Sequence, residues 1–186
     1  MSNTWFISDT HFGHANILKF VDANGTALRP VFANVQAMDD EIVARWNERV
    51  RPKDRVYHMG DVAMGRQHIQ TVARCHGRKV LLRGNHDIFK LKDYSLWFDD
   101  VRSYKVYPVH GIIVSHVPIH PSQLEHRFKW NVHGHTHANS VLLHPDRWIN
   151  GEPHADPRYI NLCVEQTAFA PVSFEEVLAM IERRTT

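Results

Sequence analysis

Five short segments of the sequence combine aspartate, histidine and asparagine in a way that suits metal binding. They are Asp9-Thr10-His11, Gly60-Asp61, Gly84-Asn85-His86-Asp87, Ser115-His116 and Gly134-His135-Thr136-His137. Carboxylate oxygens, amide oxygens and imidazole nitrogens bind divalent ions such as Mn²⁺, Fe²⁺, Co²⁺, Ni²⁺ and Zn²⁺. The absence of cysteine from the set disfavours copper(I) and iron–sulfur clusters. The five segments therefore predict a site for divalent metal ions.

The elements that precede these segments explain how they could meet in space. Each segment follows an apolar run of strand length, at residues 4–8, 55–59, 79–82, 111–115 and 131–133. In an open α/β sheet the carboxyl ends of the strands line the binding crevice. In extended chain, Asp9 and His11 would also point to the same side, so that both could bind one ion. We expect the five segments to converge on one site.

The order of the predicted elements indicates an α/β fold. Apolar residues at helical spacing predict a helix over 34–50 with Asn34 as its N-cap, and a weaker helix is expected around 67–75. Helices that alternate with strands imply a parallel βαβαβ unit in the first half of the chain.

The second half of the sequence is richer in strand signals. A hairpin is predicted over 104–115, and further strands at 140–143 and 159–164. A single helix closes the chain. Its start is marked by Ser173-Phe174-Glu175-Glu176, which has the spacing of a capping box.

Length and composition predict one soluble domain over residues 1–186. The chain is 43% hydrophobic and 23% charged, and its apolar runs are far shorter than the ~18 residues of a membrane helix. The amino terminus lacks the features of a signal peptide, and Cys75 and Cys163 form no CxxC pair. We therefore expect a cytoplasmic protein with reduced thiols and no membrane partner. The net charge of +2 carries no signature of nucleic-acid binding.

The ordered pattern DxH, GD, GNHD, H and GHxH resembles the signature of the calcineurin-like metallophosphoesterases, and the resemblance spans residues 4–164. It implies a sandwich of two mixed β-sheets flanked by helices, in α/β/β/α layers. It also implies two divalent metal ions per chain, with Mn²⁺ the preferred ion. The small size and the opening Asp9-Thr10-His11-Phe12-Gly13-His14 look most like the small bacterial and phage phosphoesterases.

The resemblance also implies a role for each matching residue. The first ion would be held by Asp9, His11 and His137. The second ion would be held by Asn85, His116 and His135. Asp61 would bridge both ions. A hydroxide shared by two such ions is a nucleophile at neutral pH, and it would attack a phosphate ester. His86 would bind no metal; it would protonate the leaving oxygen or stabilise charge on the phosphoryl group.

One position departs from the pattern, and three others are candidate substrate contacts. At the position of Met64, the protein phosphatases of this superfamily carry an aspartate that orients the catalytic histidine. The sequence therefore does not indicate which residue would orient His86. His14 and Asn16 would either face the phosphate or cap a short helix. Arg29 would either neutralise a substrate phosphate or lie in a solvated loop.

The substrate is the main open question at this point. A small phosphodiester, for example one derived from a nucleotide, is favoured over a phosphomonoester, and a nucleic-acid strand is possible but not favoured. The competing class is a scaffold that keeps the phosphoesterase fold without catalysis; a complete ligand set and His86 argue against it. The loop over 144–158 would lie near the mouth of the site and affect specificity. The sequence leaves its role, the native metal and the oligomeric state open.

Overall fold

The computed structural model describes residues 2–22, 24–144 and 150–185. Its strands are β1 (Thr4–Ile7), β2 (Arg55–His58), β3 (Arg78–Leu82), β4 (Asp100–Arg102), β5 (Tyr104–Tyr107), β6 (Ile112–Ser115), β7 (Trp130–His133), β8 (Tyr159–Asn161) and β9 (Val172–Ser173). Its α-helices are α1 (Val35–Arg49), α2 (Leu91–Tyr94) and α3 (Phe174–Thr185). Short 3₁₀ helices lie at Ala15–Lys19, Arg66–Arg74, Pro108–His110, Pro121–Leu124 and Val164–Gln166.

The strands form two mixed sheets, as predicted. The first sheet has the order β4-β3-β2-β1-β9, in which β1 to β4 run parallel and β9 pairs antiparallel with β1. The second sheet has the order β5-β6-β7-β8, with an antiparallel hairpin between β5 and β6 and parallel pairing beyond it. The predicted parallel unit of the first half and the predicted hairpin are both confirmed.

Alternation along the strands divides the apolar residues between two faces of each sheet. In β1, Trp5 and Ile7 face a cluster shared with α1, whereas Phe6 faces the second sheet. In β6, Ile112 and Val114 join Phe6 in this cluster between the sheets. Successive side chains of a strand point to opposite faces, so one short strand serves two core layers.

The layers around the two sheets follow from these clusters. Helix α1 covers the outer face of the first sheet through Met38, Ile42 and Trp46, which are fully buried. The outer face of the second sheet is covered by a smaller cluster that includes Leu124 and Phe128. Among the described residues this cover is a 3₁₀ helix and loops, and α3 packs against the cluster between the sheets. The full α/β/β/α layering therefore stays a prediction.

Side-chain caps fix the start of two helices. The Asn34 side chain accepts a hydrogen bond from the Ala37 amide at 2.9 Å, which confirms the predicted N-cap of α1. At α3, the Ser173 hydroxyl accepts from the Glu176 amide at 3.1 Å, and the Glu176 carboxylate accepts from the Ser173 amide at 2.7 Å. These bonds satisfy amides that have no partner within the helix.

Several predicted elements need correction. Residues 140–143 form no strand; Leu142 makes only an isolated antiparallel bridge with Ala155. The helix expected around 67–75 is a 3₁₀ helix over Arg66–Arg74. Strands β4 and β9 and helix α2 were not predicted, because segments of two to four residues carry too little periodicity. Of the loop over 144–158, residues 145–149 lie outside the described residues. No described helix is long and apolar enough to span a membrane.

Candidate metal centre

Two groups of aspartate and histidine side chains lie at the carboxyl ends of the strands. We call the group of Asp9, His11 and His137 the first cluster. We call the group of Asp61, His116 and His135 the second cluster. In each cluster the candidate ligand atoms lie within 4.8 Å of one another. Four of the five sequence segments therefore converge in these clusters, and each cluster could hold a metal ion.

Asp61 lies between the two clusters. Its Oδ2 is 3.6 Å from Nε2 of His11, and its Oδ1 is 3.4 Å from Nε2 of His116. One carboxylate thus presents one oxygen to each group of histidines. Burial raises the pKa of Asp61, but the interaction with His116 outweighs it and leaves the pKa below its usual value. The side chain is therefore ionised at neutral pH, the form in which a carboxylate binds metal.

Asn85 belongs with the second cluster by position. Its Oδ1 is 2.8 Å from Nε2 of His116, and Nδ1 of His116 is 2.8 Å from the Met59 carbonyl oxygen. The contact to the carbonyl gives Nδ1 the proton and leaves Nε2 free to bind an ion. Asn85 and His135 are exposed, so this cluster is open to solvent.

Buried polar atoms without a partner fit the presence of an ion in the first cluster. Oδ1 of Asp9 and both ring nitrogens of His11 are buried and lack a hydrogen-bond partner. The Oδ1 atom lies 3.8 Å from Nε2 of His11 and 3.9 Å from Nε2 of His137. Burial without a partner is costly for polar groups. A divalent cation beside Oδ1 of Asp9 and Nε2 of His11 would give these two atoms a partner, so the donor set and its burial fit a metal.

The backbone of the candidate ligands is strained. Five of the eight non-glycine residues with positive φ in the described chain are candidate ligands, with φ between 48° and 71°: Asp9, His11, Asp61, His135 and His137. Such conformations cost of the order of 1 kcal/mol or more each, and they concentrate at functional sites. The expectation that Asp9 and His11 lie in extended chain is wrong, because a left-handed turn brings them together.

Two glycines let the loops of the site approach one another. A Cβ atom at Gly84 would collide with Oδ1 of Asp61 and lie 2.6 Å from the Asp61 amide nitrogen. A Cβ atom at Gly134 would collide with Oγ of Ser8 and Oδ2 of Asp9. Only glycine therefore fits beside the aspartates at these positions.

Asp87 ties two of the loops together, a role that the sequence did not reveal. Its buried carboxylate accepts hydrogen bonds from the amides of Asp61 at 2.8 Å, Val62 at 3.1 Å and Gly84 at 2.8 Å. The Asp61 carboxylate in turn accepts from the His86 amide at 2.9 Å. The loops that follow β2 and β3 are therefore fixed to each other around Asp61.

The structure corrects both expectations for Arg29. The side chain is 0% exposed, so it neither faces substrate nor lies in a solvated loop. Its guanidinium donates to the carbonyl oxygens of Asp9 at 2.6 Å and Thr10 at 3.0 Å, and to the Glu165 carboxylate at 2.8 Å. Arg29 thus fixes the turn that carries the first two ligands.

Glu165 is a residue that sequence reasoning missed. The same oxygen that accepts from Arg29 is 3.0 Å from Nδ1 of His137. A carboxylate on the far nitrogen of a ligand histidine orients the ring and fixes its tautomer. Burial lowers the pKa of His137, but Glu165 outweighs it and raises the pKa above its usual value. No motif signals Glu165, which lies 28 positions after His137.

Two of the candidate catalytic and substrate residues, His86 and His14, lie beside the first cluster. The ring of the exposed His86 lies 5.6 Å from the ring of His11, measured between centroids, and the ring of His14 lies 5.7 Å from the ring of His11. His14 precedes the 3₁₀ helix Ala15–Lys19, but its side chain makes no capping bond. Asn16 lies within this helix, and its Oδ1 accepts from Lys19 at 3.3 Å. In the described chain no carboxylate hydrogen-bonds the His86 ring, in keeping with the methionine at position 64.

His58 is buried behind the site. Its Nε2 is 2.9 Å from the Thr10 hydroxyl, and its ring stacks on Trp46 at 6.3 Å between centroids. Burial lowers the pKa of His58 to about 3, so the ring is neutral. His133 is likewise buried, with Nδ1 2.8 Å from the Gly134 carbonyl oxygen, and burial lowers its pKa to about 4.

Comparisons with known proteins give relatives along nearly the whole chain. No family model matches the sequence. The crystal structure of the protein of unknown function AQ665 from Aquifex aeolicus has a TM-score of 0.70 at 26% identity, and the match covers 97% of this chain and 100% of that chain. The Gene 66 protein of Mycobacterium phage L5 is 29% identical over 181 residues, which covers 76% of this chain and 81% of that protein.

A further relative is more similar in sequence than these two. The uncharacterized protein MJ1445 of Methanocaldococcus jannaschii is 32% identical over 187 residues, and the match covers 98% of this chain and 93% of that protein. Identity of this degree along almost the full length of both chains shows that the protein described here belongs to the same family as MJ1445.

Proposed function

We propose that this protein is a metal-dependent hydrolase of phosphate esters, with a small phosphodiester as the favoured substrate. One observation carries the proposal: the two oxygens of Asp61 face two separate clusters of histidine and aspartate ligands. Ions bridged in this way suit displacement at phosphorus, because both the attacking and the leaving oxygen can be stabilised. The sequence resemblance to the calcineurin-like metallophosphoesterases supports the same activity.

Two divalent ions would supply a nucleophile at neutral pH and would neutralise charge on the phosphoryl oxygens. The protein's own residues hold and orient this centre. Asp9, His11 and His137 would hold one ion, and Asn85, His116 and His135 the other, with Asp61 shared. The fixed loops matter because a preorganised site needs no rearrangement during the reaction.

His86 is the residue best placed to act on the substrate without binding metal. Its amide is held by Asp61, whereas its ring is exposed beside the first cluster. An imidazole there can donate a proton to the leaving oxygen, or hydrogen-bond to the phosphoryl group. Since no carboxylate of the described residues holds the ring, either role is open to it. His14 lies on the same side and is a further candidate for contact with the phosphate.

The alternatives within this proposal concern substrate and catalysis. A phosphomonoester or a nucleic-acid strand could also bind at such a centre, but the nearly balanced charge favours a small substrate over a nucleic acid. A scaffold without catalysis is less well supported, because it has no need for unpaired buried atoms such as those of His11. These atoms weigh towards bound ions and therefore towards an active enzyme.

A screen of phosphate esters tests the proposal. The purified protein is supplied with Mn²⁺ and assayed on monoesters, linear diesters and cyclic diesters, with the Asp61→Ala variant as the matched control. We expect hydrolysis of at least one diester by wild type, and loss of that activity in the variant and in the presence of a chelator. Hydrolysis that persists equally in Asp61→Ala, or the lack of any hydrolysis by metal-loaded wild type, would contradict the proposed function.

A further inference from the structure

A cavity of about 430 Å³ adjoins the second cluster. It lies between the loop after β3 and the ends of β5 and β6, and its lining includes Arg83, Asn85, Tyr104, His116, Val117 and Ile119. We call it the Tyr104 cavity. Two of these residues, Asn85 and His116, are also candidate ligands, so the cavity is continuous with the proposed metal centre. Its volume is within the range of small-molecule sites, roughly 300–1,000 Å³.

An aromatic ring and aliphatic side chains form one wall of the Tyr104 cavity. Tyr104 is 56% exposed and Val117 is 48% exposed, so both present apolar surface to the cavity. The pairing of β5 with β6 places Tyr104 opposite Ser115, one residue before His116. An exposed aromatic face next to aliphatic groups favours a flat ring that can stack on it.

The charge of the cavity indicates an anionic ligand. Arg83 contributes a permanent positive charge, and none of the described residues that line the cavity is an aspartate or a glutamate. The Arg83 guanidinium is held in place because it donates to the carbonyl oxygens of Asp87 at 2.6 Å and Phe89 at 3.0 Å. A fixed cation at the edge of an apolar wall suits a ligand that carries both a phosphate and a ring.

We propose that the Tyr104 cavity receives the aromatic ring of the substrate, so that the enzyme acts on phosphate esters that carry an aryl group or a nucleobase. The phosphate would lie at the metal centre, and the ring would stack on Tyr104 beside Val117. This inference rests on the proposed function, since the centre must bind the phosphate. It adds a substrate class that the metal ligands alone do not specify.

Binding of stable phosphonates tests the inference without the need for turnover. Calorimetry on the Mn²⁺-loaded protein measures the affinity of phenylphosphonate and of methylphosphonate, and adenosine monophosphate serves as the nucleobase arm. We expect wild type to prefer the two ring-bearing ligands. In Tyr104→Ala the preference for phenylphosphonate over methylphosphonate should fall about fivefold or more, because a stacking partner is lost. Tyr104→Phe should restore the preference, since it keeps the ring.

The matched control is Val109→Ala, which changes a 94% exposed residue of the same hairpin at the end away from the site. It should leave the preference unchanged. If methylphosphonate binds but neither phenylphosphonate nor adenosine monophosphate binds better, or if Tyr104→Ala keeps the wild-type preference, the ring site is wrong and the proposed function stands. If neither phosphonate binds the metal-loaded protein, the proposed function is contradicted and the ring site with it. Preference for adenosine monophosphate alone would restrict the substrate class to nucleotides.

Discussion

Glu165 holds His137 and Arg29 at the same carboxylate oxygen, and this contact joins the candidate ligands of the first cluster. Arg29 fixes the carbonyl oxygens of Asp9 and Thr10, so the arrangement connects the turn after β1 with the segment after β7. The carboxylate is almost completely buried, with 4% of its side chain exposed. We infer that Glu165 positions the first cluster and does not bind metal itself.

Replacement of Glu165 tests this positioning role. Glu165→Gln removes the charge that orients His137, so we expect the affinity for one of the two ions to fall about 10–100-fold. The other ion should bind as in wild type. Titration of the metal-free protein with Mn²⁺ measures both affinities.

The control for this change is Asp156→Asn, which weakens another buried carboxylate–arginine pair, that with Arg158 at 2.6 Å. It should lower stability and leave both metal affinities unchanged. Equal effects of the two variants on metal affinity would mean that Glu165 acts only through general stability.

His86 gives the second prediction at this scale. Because it belongs to neither cluster, His86→Ala should retain both ions. As a general acid it would contribute about 10²–10⁴-fold to the rate, and most for a poor leaving group. The ratio of wild-type to variant rate should therefore be larger for an alkyl ester than for its nitrophenyl counterpart.

Elemental analysis and steady-state rates of the same preparations check the His86 prediction. His110→Ala, which changes an exposed histidine before β6, serves as the control and should keep both rates. Equal ratios for the two esters would assign His86 to charge stabilisation of the phosphoryl group. Rates equal to those of wild type for both esters would remove it from catalysis.

The candidate ligands could be predicted from sequence because metal chemistry restricts residue types and strand ends restrict their position. Asp9, Asp61 and His116 all lie within three positions after the end of a strand. The residues that support them could not be predicted in the same way. Glu165 and Arg29 contact the site through the folded chain, and a lone glutamate or arginine carries no spacing signal. Arg29 was consequently assigned to substrate or solvent.

At the scale of elements, Asp87 is the main connection between the loops after β2 and β3. It accepts three backbone hydrogen bonds from these loops, and its carboxylate is buried. Three amides would lose their partner if the side chain were removed. Since each such bond to a charged group contributes about 1.5–3 kcal/mol, the connection is strong.

Asp87→Ala should therefore lower the free energy of unfolding by roughly 3 kcal/mol or more, and should also weaken metal binding. Asp54→Ala is a matched control, because the Asp54 carboxylate is also buried and accepts three hydrogen bonds, from Asn3, Trp5 and Arg51. Asp54 directly precedes β2, so it lies at the end of the strands opposite to the metal centre. Asp54→Ala should lower stability alone. Denaturant unfolding and Mn²⁺ titration distinguish the two, and unchanged metal affinity in Asp87→Ala would contradict the connection.

The elements that sequence predicted well are those with enough residues to show a pattern. Helix α1 has four turns and a side-chain cap, and the capping box of α3 is explicit in the sequence. Strands β4 and β9 have three and two residues, and their pairing depends on the neighbouring strands. The error at 140–143 has a similar cause, since its three consecutive apolar residues form one isolated bridge and no continuous strand.

At the scale of the whole molecule, the pH dependence of stability offers a test of the packing of α1 on the site. Asp39 on α1 is 6% exposed, and its carboxylate accepts a hydrogen bond from the Gly13 amide at 3.0 Å. Gly13 lies two positions after the candidate ligand His11. Burial raises the pKa of Asp39 to about 6, above the ~3.9 of a free aspartate. The folded protein therefore holds this proton more tightly than the unfolded chain. The contribution of the protonated Asp39 carboxyl to the free energy of unfolding is complete below pH ~4 and is lost as the pH rises to about 6.

Asp39→Asn removes this titration. We expect the free energy of unfolding of the variant, relative to wild type, to rise between pH 4 and about 6 and to be constant above that. Urea unfolding of the metal-free proteins in this range measures the difference. Asp54→Asn should show no such rise, because the pKa of Asp54 is lowered by its hydrogen bonds despite burial. If the difference in free energy of unfolding between Asp39→Asn and wild type stays constant from pH 4 to about 6, the pKa of Asp39 is not raised in the folded protein.

The central claim is that one chain binds two ions, which share Asp61. The most direct test is the number of ions bound by the protein after saturation with Mn²⁺ and removal of the excess, measured by elemental analysis for wild type, Asp61→Ala and Asp9→Ala. We predict two ions per chain in wild type, weakened binding of both in Asp61→Ala, and retention of one in Asp9→Ala. A fully loaded wild-type chain that contains a single ion would contradict the account.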